Sequence, residues 1–464
     1  MPTNRVFNLT GLNLGLNPML LKEGEFIRLH NMENDVAGGK KKRPGYATYL
    51  GTANGSAIDS LWNWTQNDGT TFWNYRASGG IVYYSTQGTG AWTVCGNGTM
   101  TAGTPVFNAV LENTMLICDG GSATRHTTNG TSFTNTTSAP IARGMVDYQS
   151  RIYAIGTGNS LIYSNVGTPT DWTNDSTSLN LPGAGRPQAI FKSNDRVVTA
   201  LNSGLIHRFD GYNLIDMATN LGPSSPVSLG TIEDFRLWLN RDGIMAYNGN
   251  RPVVISNSIE KLIYNDAGEG IAGTTFDTAP GIAHQYDYYL SVGTVTDDLT
   301  DETISDAIIK YDYQLNEFST YSFANRPNSW LPYRDTNRAQ QLVFGAGSQC
   351  YTYGGTVVDD SGSTIGAAME FVVHAGAPET EKEWKNCWFF FNPGNQAKVQ
   401  VAPANTFTKG KKNWIGLGDC SNGIAEFQGQ GLRSNLLFVK ITEASRASRF
   451  HFYGFAYSYD SVGR

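Results

Sequence analysis

Phe235-Arg-Leu-Trp-Leu-Asn240, within the stretch from Leu229 to Ile263, decides how the rest of the chain is read. Phe235, Leu237 and Leu239 fall on one face, the period-two pattern of a half-buried strand. Asp242-Gly243 follows and offers the positive backbone φ of a tight hairpin turn. Ile244-Met-Ala-Tyr247 returns, Asn248-Gly249 turns again, and Pro252-Val-Val-Ile-Ser256 goes out a third time. A three-strand meander of this size is not stable alone, so the chain must supply further units to stack on it.

Such units recur between Ala57 and Gly355. They can be anchored at Ile58, Val106, Met145, Ala189, Leu229, Ile282 and Trp330, at the spacing of roughly 40–50 residues expected of propeller blades. Each anchor leads into hairpin-forming sequence, for example Arg151-Ile-Tyr-Ala-Ile155 with Leu161-Ile-Tyr163, and Arg196-Val-Val-Thr-Ala200 with Leu205-Ile-His-Arg-Phe209. The pattern predicts an all-β chain built on a β-propeller of six to seven blades, the ring complete or incomplete. Residues 51–355 form that propeller, and residues 1–50 an extended N-terminal arm that braces either the propeller or the C-terminal domain. Asp359-Asp-Ser-Gly-Ser-Thr364 reads as an exposed boundary. Residues 356–464 then form a small antiparallel, sandwich-like C-terminal β-domain, with Met369–Val373, Trp388–Phe391, Lys398–Val401, Leu436–Lys440 and Tyr453–Tyr459 as its strands.

Composition agrees with many short strands joined by turns. Of 464 residues, 40% are hydrophobic and 12% aromatic, only 16% are charged, and there are 52 glycines. The formal net charge of −6 argues against a surface that grips nucleic acid throughout. Cys95, Cys118, Cys350, Cys387 and Cys420 are scattered, odd in number and without a C-x-x-C pair, so free thiols in a reducing compartment are expected. The N-terminal residues lack the apolar run of a signal peptide. No stretch approaches the ~18 consecutive apolar residues of a membrane-spanning helix.

The motifs of catalysis are missing. There is no G-x-S-x-G elbow, H-E-x-x-H or P-loop, and His30, His126, His207, His284, His374 and His451 are isolated from one another. These absences weigh against an enzyme, and no cofactor or metal is expected. The alternative is a carbohydrate-binding or glycan-cleaving propeller, a tail-tip adhesin or sialidase-like protein. Sialidase-like propellers repeat S-x-D-x-G-x-T-W turns; Ser85–Trp92 and Ser164–Trp172 come nearest here but lack the aspartate and glycine in register.

Two charged segments stand out. Lys40, Lys41, Lys42 and Arg43 lie in a Gly- and Pro-flanked loop and form a candidate interface for an anionic partner. Thr294–Ser305 is the longest polar insertion within a blade. Its Asp297, Asp298, Asp301 and Glu302 are a candidate gate loop in a channel; the segment lacks the ligand spacing of a calcium loop.

Several segments together resemble the nozzle or hub proteins of short-tailed bacteriophages, a group that includes packaged-DNA stabilisation and tail tubular proteins. Gly15-Leu-Asn-Pro18, Arg28-Leu-His-Asn31 and Lys42-Arg-Pro-Gly45 look like that family's lead-in. Tyr163–Trp172 looks like one of its blade signatures. Asp242–Tyr247 followed by Ile255–Ile263 is the best match, and Tyr311–Phe318 and Gly454–Tyr457 resemble a blade end and the closing strand. The resemblance spans nearly the whole chain through short motifs whose order carries the weight. It implies a non-enzymatic virion tail subunit, made in the bacterial host cytoplasm. The subunit would join a sixfold ring of identical copies below the adaptor or head-completion protein, touch fibre, spike or needle proteins, and let double-stranded DNA pass.

Overall fold

The computed structural model describes residues 3–462, apart from 36–37, 52–54, 87–88, 157, 174–177, 195, 219, 265–269, 298–301, 377, 395, 406–411, 421, 430 and 446–449. Strands dominate. Among the described residues, six four-stranded sheets are self-contained, and a seventh four-strand unit continues into a nine-stranded sheet. The inner strands of successive units begin at Ile58, Phe107, Ala142, Pro187, Gly230, Gly281 and Ser329, at or beside the anchors read from the sequence. Together they make a β-propeller.

The stretch that opened the reading forms the fifth blade. Phe235–Asn240 pairs with Gly243–Tyr247, and Gly243 takes a φ of 142° beside the turn. The outer strand is shorter than the pattern suggested, only Val253–Val254. Ser256 leaves the sheet because its hydroxyl accepts the Ile244 amide at 2.9 Å, and a short helical passage follows at Asn257–Ile263. Trp238, Tyr247 and Met245 pack on Phe191 and Val198 of the fourth blade, so the meander is stabilised by its neighbour.

The seventh blade corrects the boundary drawn at residue 50. Ser329–Arg334, Gln340–Ala346 and Gln349–Tyr353 supply three strands, and Tyr46–Tyr49 adds the fourth, paired antiparallel to Gln349–Tyr353. One blade is thus made from two distant parts of the chain, which removes the free edge each part would leave. Tyr46 sits fully buried against Phe323, Phe344 and Tyr351. Residues 46–49 belong to the propeller.

The C-terminal strands form the expected antiparallel β-structure as two facing sheets, and these are continuous with the propeller. In one, Phe26–His30 joins the outer strand of the sixth blade, Glu317–Ser322, in parallel at His30–Thr320. It also pairs antiparallel with Ala367–Val373. The sixth blade therefore runs on into the sandwich through an N-terminal strand. In the other sheet, Lys382–Phe391 pairs with His451–Ser461, and Asn4–Val6 and Lys40–Lys42 add to it. One apolar core continues from Leu237 and Ile244 of the fifth blade, through Leu290 and Ile309 of the sixth, to Phe371, Phe438 and Phe455. The alternating aromatics of the last strand serve that core: Phe455 and Tyr457 are buried and stack on each other.

Candidate functional site

The cationic segment chosen from the sequence does not form an exposed site. Lys40–Lys42 is a strand, not a loop. Lys40 Nζ lies 3.0 Å from Glu317 of the sixth blade and also donates to Asn34. Burial pulls its pKa down while Glu317 opposes the shift. Lys42 Nζ pairs with Glu443 at 2.7 Å and donates to the Ser445 carbonyl. Arg43 is held most completely. Its Nη1 and Nη2 donate to the two oxygens of Asp360 at 2.9 and 2.6 Å, Nε donates to Asn31, and the guanidinium lies over Phe323. Only Lys41 is partly exposed, and it faces Glu33 at 3.4 Å. The cations face inward because the arm is a sheet strand sandwiched between carboxylates of other elements. Asp360, in the segment read as an exposed boundary, is buried for the same reason.

The expected gate segment is mainly strand. Asp287–Asp297 and Glu302–Asp312 form a long hairpin in which Asp297 pairs with Glu302, with Val295 buried and Ile304 partly buried in the large core. An apolar residue at each of these positions lets the ladder extend where polar composition suggested a loop. Asp298 and Asp301 lie outside the described residues. The hairpin rises beside Arg326: a Cβ at Gly293 would stand 3.0 Å from the Arg326 Nη1.

A concave feature lies where the inner strands of the blades converge. A mouth of about 800 Å³ opens where inner strands begin, and a compartment of about 240 Å³ lies against the same strands. Leu61, Ile190, Leu229, Ile282 and Trp330 line that compartment.

A shared local device aims polar groups into this funnel. The inner strands of the first, third and fourth blades each contain a register shift near their start. The shifts fall between Ile58 and Ser60, between Ala142 and Gly144, and between Pro187 and Ala189. The extra residues are Asp59, Arg143 and Gln188, and all three line both parts of the cavity. A β-bulge leaves one residue unpaired and redirects its side chain. Gly144 fits here because a Cβ would come within 2.9 Å of Ile190 on the adjacent inner strand.

Arg186, Arg241 and Arg326 complete the mouth. The backbone of Arg186 is clamped by Asn202, whose side chain accepts its amide at 2.9 Å. Arg241 occupies the fifth-blade turn, held where Asn240 accepts the Asp242 amide and donates to Gly222 at 2.6 Å. Gln188 donates to the Ser224 carbonyl and ties the fourth blade to the next connection.

The carboxylates of the mouth divide into two kinds. Asp119 is occupied by the amides of Thr101, Gly121 and Ser122; burial works against its ionisation, but these donors outweigh it and hold its pKa low. Asp59 is different. Burial raises its pKa against the opposing amides of Gly103, Gly79 and Gly80, and its Oδ2 is buried without a protein partner. Arg143 Nε and Arg326 Nε are likewise buried without one.

Leu229, Ile282 and Trp330 were read from the sequence as blade anchors, but none of the charged or polar funnel residues was singled out. A weak signal was present, since Asp59, Arg143 and Gln188 each stand beside a strand-opening residue at blade spacing. The bulges that turn them inward have no local signature. Among the described residues, no group of three or more His, Cys, Asp or Glu is arranged to hold a metal ion, and no helix is long and apolar enough to cross a membrane.

No family model matches the chain, and no curated protein does. Solved structures similar to it include YCF48 from Cyanidioschyzon merolae, at 9% identity and a TM-score of 0.42 over 67% of this chain and 98% of that one. The WD40 β-propeller domain of Doa1 is similar at 9% identity and a TM-score of 0.40, over 67% of this chain and 97% of that one. An extracellular domain of a one-component system from B. thetaiotaomicron is similar at 10% identity and a TM-score of 0.46, over 89% and 62%. The propeller assignment rests on the sheet order above.

Proposed function

We propose that this chain is a structural subunit of a short-tailed bacteriophage tail nozzle, assembling as a ring of identical copies that continues the portal–adaptor channel, retains packaged DNA and passes it during ejection. The observation that carries this reading concerns the segments that resemble the nozzle family. Arg28–Asn31, Lys42–Gly45 and Gly454–Tyr457 are the strands and pairs that knit arm, sixth blade and sandwich into one body. A shared core and buried ion pairs suit a part that must hold its shape. The propeller lumen narrows to a compartment of about 240 Å³, so a duplex would pass between subunits of the ring and not through a propeller. The net charge of −6 on each copy would keep phosphate contacts few along that passage. Two adjacent hairpin ends of the sixth blade expose Tyr286 and Leu315, an apolar pair suited to a contact with a neighbour.

The test is the mass of the purified chain in solution together with low-resolution images. A closed ring, and its presence in tails of assembled particles, is the expected result. A monomer that hydrolyses glycans would overturn the proposal.

A further inference from the structure

The funnel holds cations that the fold itself does not neutralise. Among the described residues, the side chains of Arg143, Arg186, Arg241 and Arg326 have no ion pair and no hydrogen bond, although all four line one mouth. Arg143 and Arg326 are half-buried, so solvent screens them incompletely. Gathering like charges in a concave, partly desolvated space is unfavourable unless an anion joins them. The buried and unpartnered Arg143 Nε, Arg326 Nε and Asp59 Oδ2 add hydrogen-bonding capacity that no group among the described residues uses.

The arrangement also has polarity. The third, fourth and fifth blades contribute Arg143, Arg186 and Arg241, while Asp59 stands on the first and Asp277 precedes the sixth. Gln188, Asn202, Asn328 and Thr104 add neutral donors and acceptors, and Phe107 and Pro226 add apolar surface. A bare polyanion would meet Asp59 and Asp277 as well as the arginines. A ligand with one anionic group and several hydroxyls would satisfy both sides. The volume of about 800 Å³ lies in the range of small-molecule sites.

We propose that the funnel is a binding site for a small acidic sugar. Its carboxylate rests on the arginines of the third to fifth blades, and its hydroxyls face Asp59, Gln188 and Asn328. Paired N–H donors of an arginine match a carboxylate geometrically, and the free Asp59 oxygen accepts a sugar hydroxyl. This site is independent of the nozzle reading, since it lies within one copy of the chain.

Calorimetric titration of the full chain tests it, with galacturonic acid and N-acetylneuraminic acid as probes. Galactose, inorganic phosphate and a short DNA duplex serve as comparisons. At least one acidic sugar should bind while galactose does not, and Arg143→Gln and Asp59→Asn should each weaken binding by about tenfold or more. Unfolding midpoints of both variants should match the parent; if Arg143→Gln fails to fold, Arg186→Gln replaces it. Three results would overturn the proposal: no heat with either acid, binding indifferent to these substitutions, or phosphate or duplex binding as tightly and being lost in the same variants.

Discussion

Arginine does two different jobs in this molecule. At the junction of arm, sixth blade and sandwich, Arg43 is fully buried and every edge of its guanidinium is used: Asp360 takes two bonds, Asn31 one, and the Ser322 and Pro44 carbonyls the rest. At the mouth, Arg143, Arg186, Arg241 and Arg326 meet no acceptor among the described residues. A buried cation without a partner is strongly destabilising, so the junction has to be complete within the chain. The mouth stays open to solvent, which keeps its cations tolerable and leaves them available to a ligand. Pairing marks what holds the fold together, and missing pairing marks what the fold presents.

The largest effect should come from breaking the junction. Arg43→Met leaves Asp360 buried and uncompensated and should cost about 3–5 kcal/mol in denaturant unfolding. Arg43→Lys should recover little, because a point charge cannot reproduce the two-pronged bond to Asp360. The neighbouring pair sharpens the point. Lys42→Met alone should lose several kcal/mol, whereas Lys42→Met with Glu443→Leu should regain most of it, since the penalty lies in the unpaired charge. A double variant no better than the single one would show that Lys42 acts through packing.

A pH dependence follows from the same junction. His30 is bonded to Thr320 and Ser322 across the seam between arm and blade, and its pKa is lowered to about 3, by burial first and then by Arg28 and Arg43. The unfolded chain takes up this proton near pH 6.5 and the folded chain does not. The stabilisation is therefore complete above about pH 6.5 and is lost progressively as pH falls toward 3. Its limiting slope is about 1.4 kcal/mol per pH unit. Urea titrations between pH 7 and 5 should steepen toward that slope at the acidic end, and His30→Gln should flatten it.

The blades were legible because period two, turn residues and repeat spacing are local signals. Phe235–Asn240 and five of the eight described strands after Tyr353 could be read from neighbours alone; Ile415–Asp419, Ile424–Gln428 and Arg433–Ser434 were missed. The junction could not, because Lys40, Lys42 and Arg43 find their carboxylates 277, 401 and 317 residues away. A run of four cations looks solvated until the sheet that carries it is known. Tyr46–Tyr49 was placed outside the propeller for a related reason: its partner strand lies at the far end of the ring. The funnel was hidden differently, since a bulge changes where Asp59, Arg143 and Gln188 point without changing composition. The Asp287–Asp297 and Glu302–Asp312 strands show the opposite error, in which polar composition outweighed the alternation through Val295 and Ile304.

The smallest effect should be at the mouth. Arg143→Gln removes no internal bond and relieves like-charge repulsion, so its stability should change by no more than about 0.5 kcal/mol. Measuring Arg43→Met and Arg143→Gln side by side by urea unfolding, under the same buffer and pH, tests the contrast most directly. A loss of several kcal/mol for the first with an unchanged midpoint for the second is the expected result. Equal losses, or a larger loss at Arg143, would contradict the division between cations that hold the fold and cations that it presents.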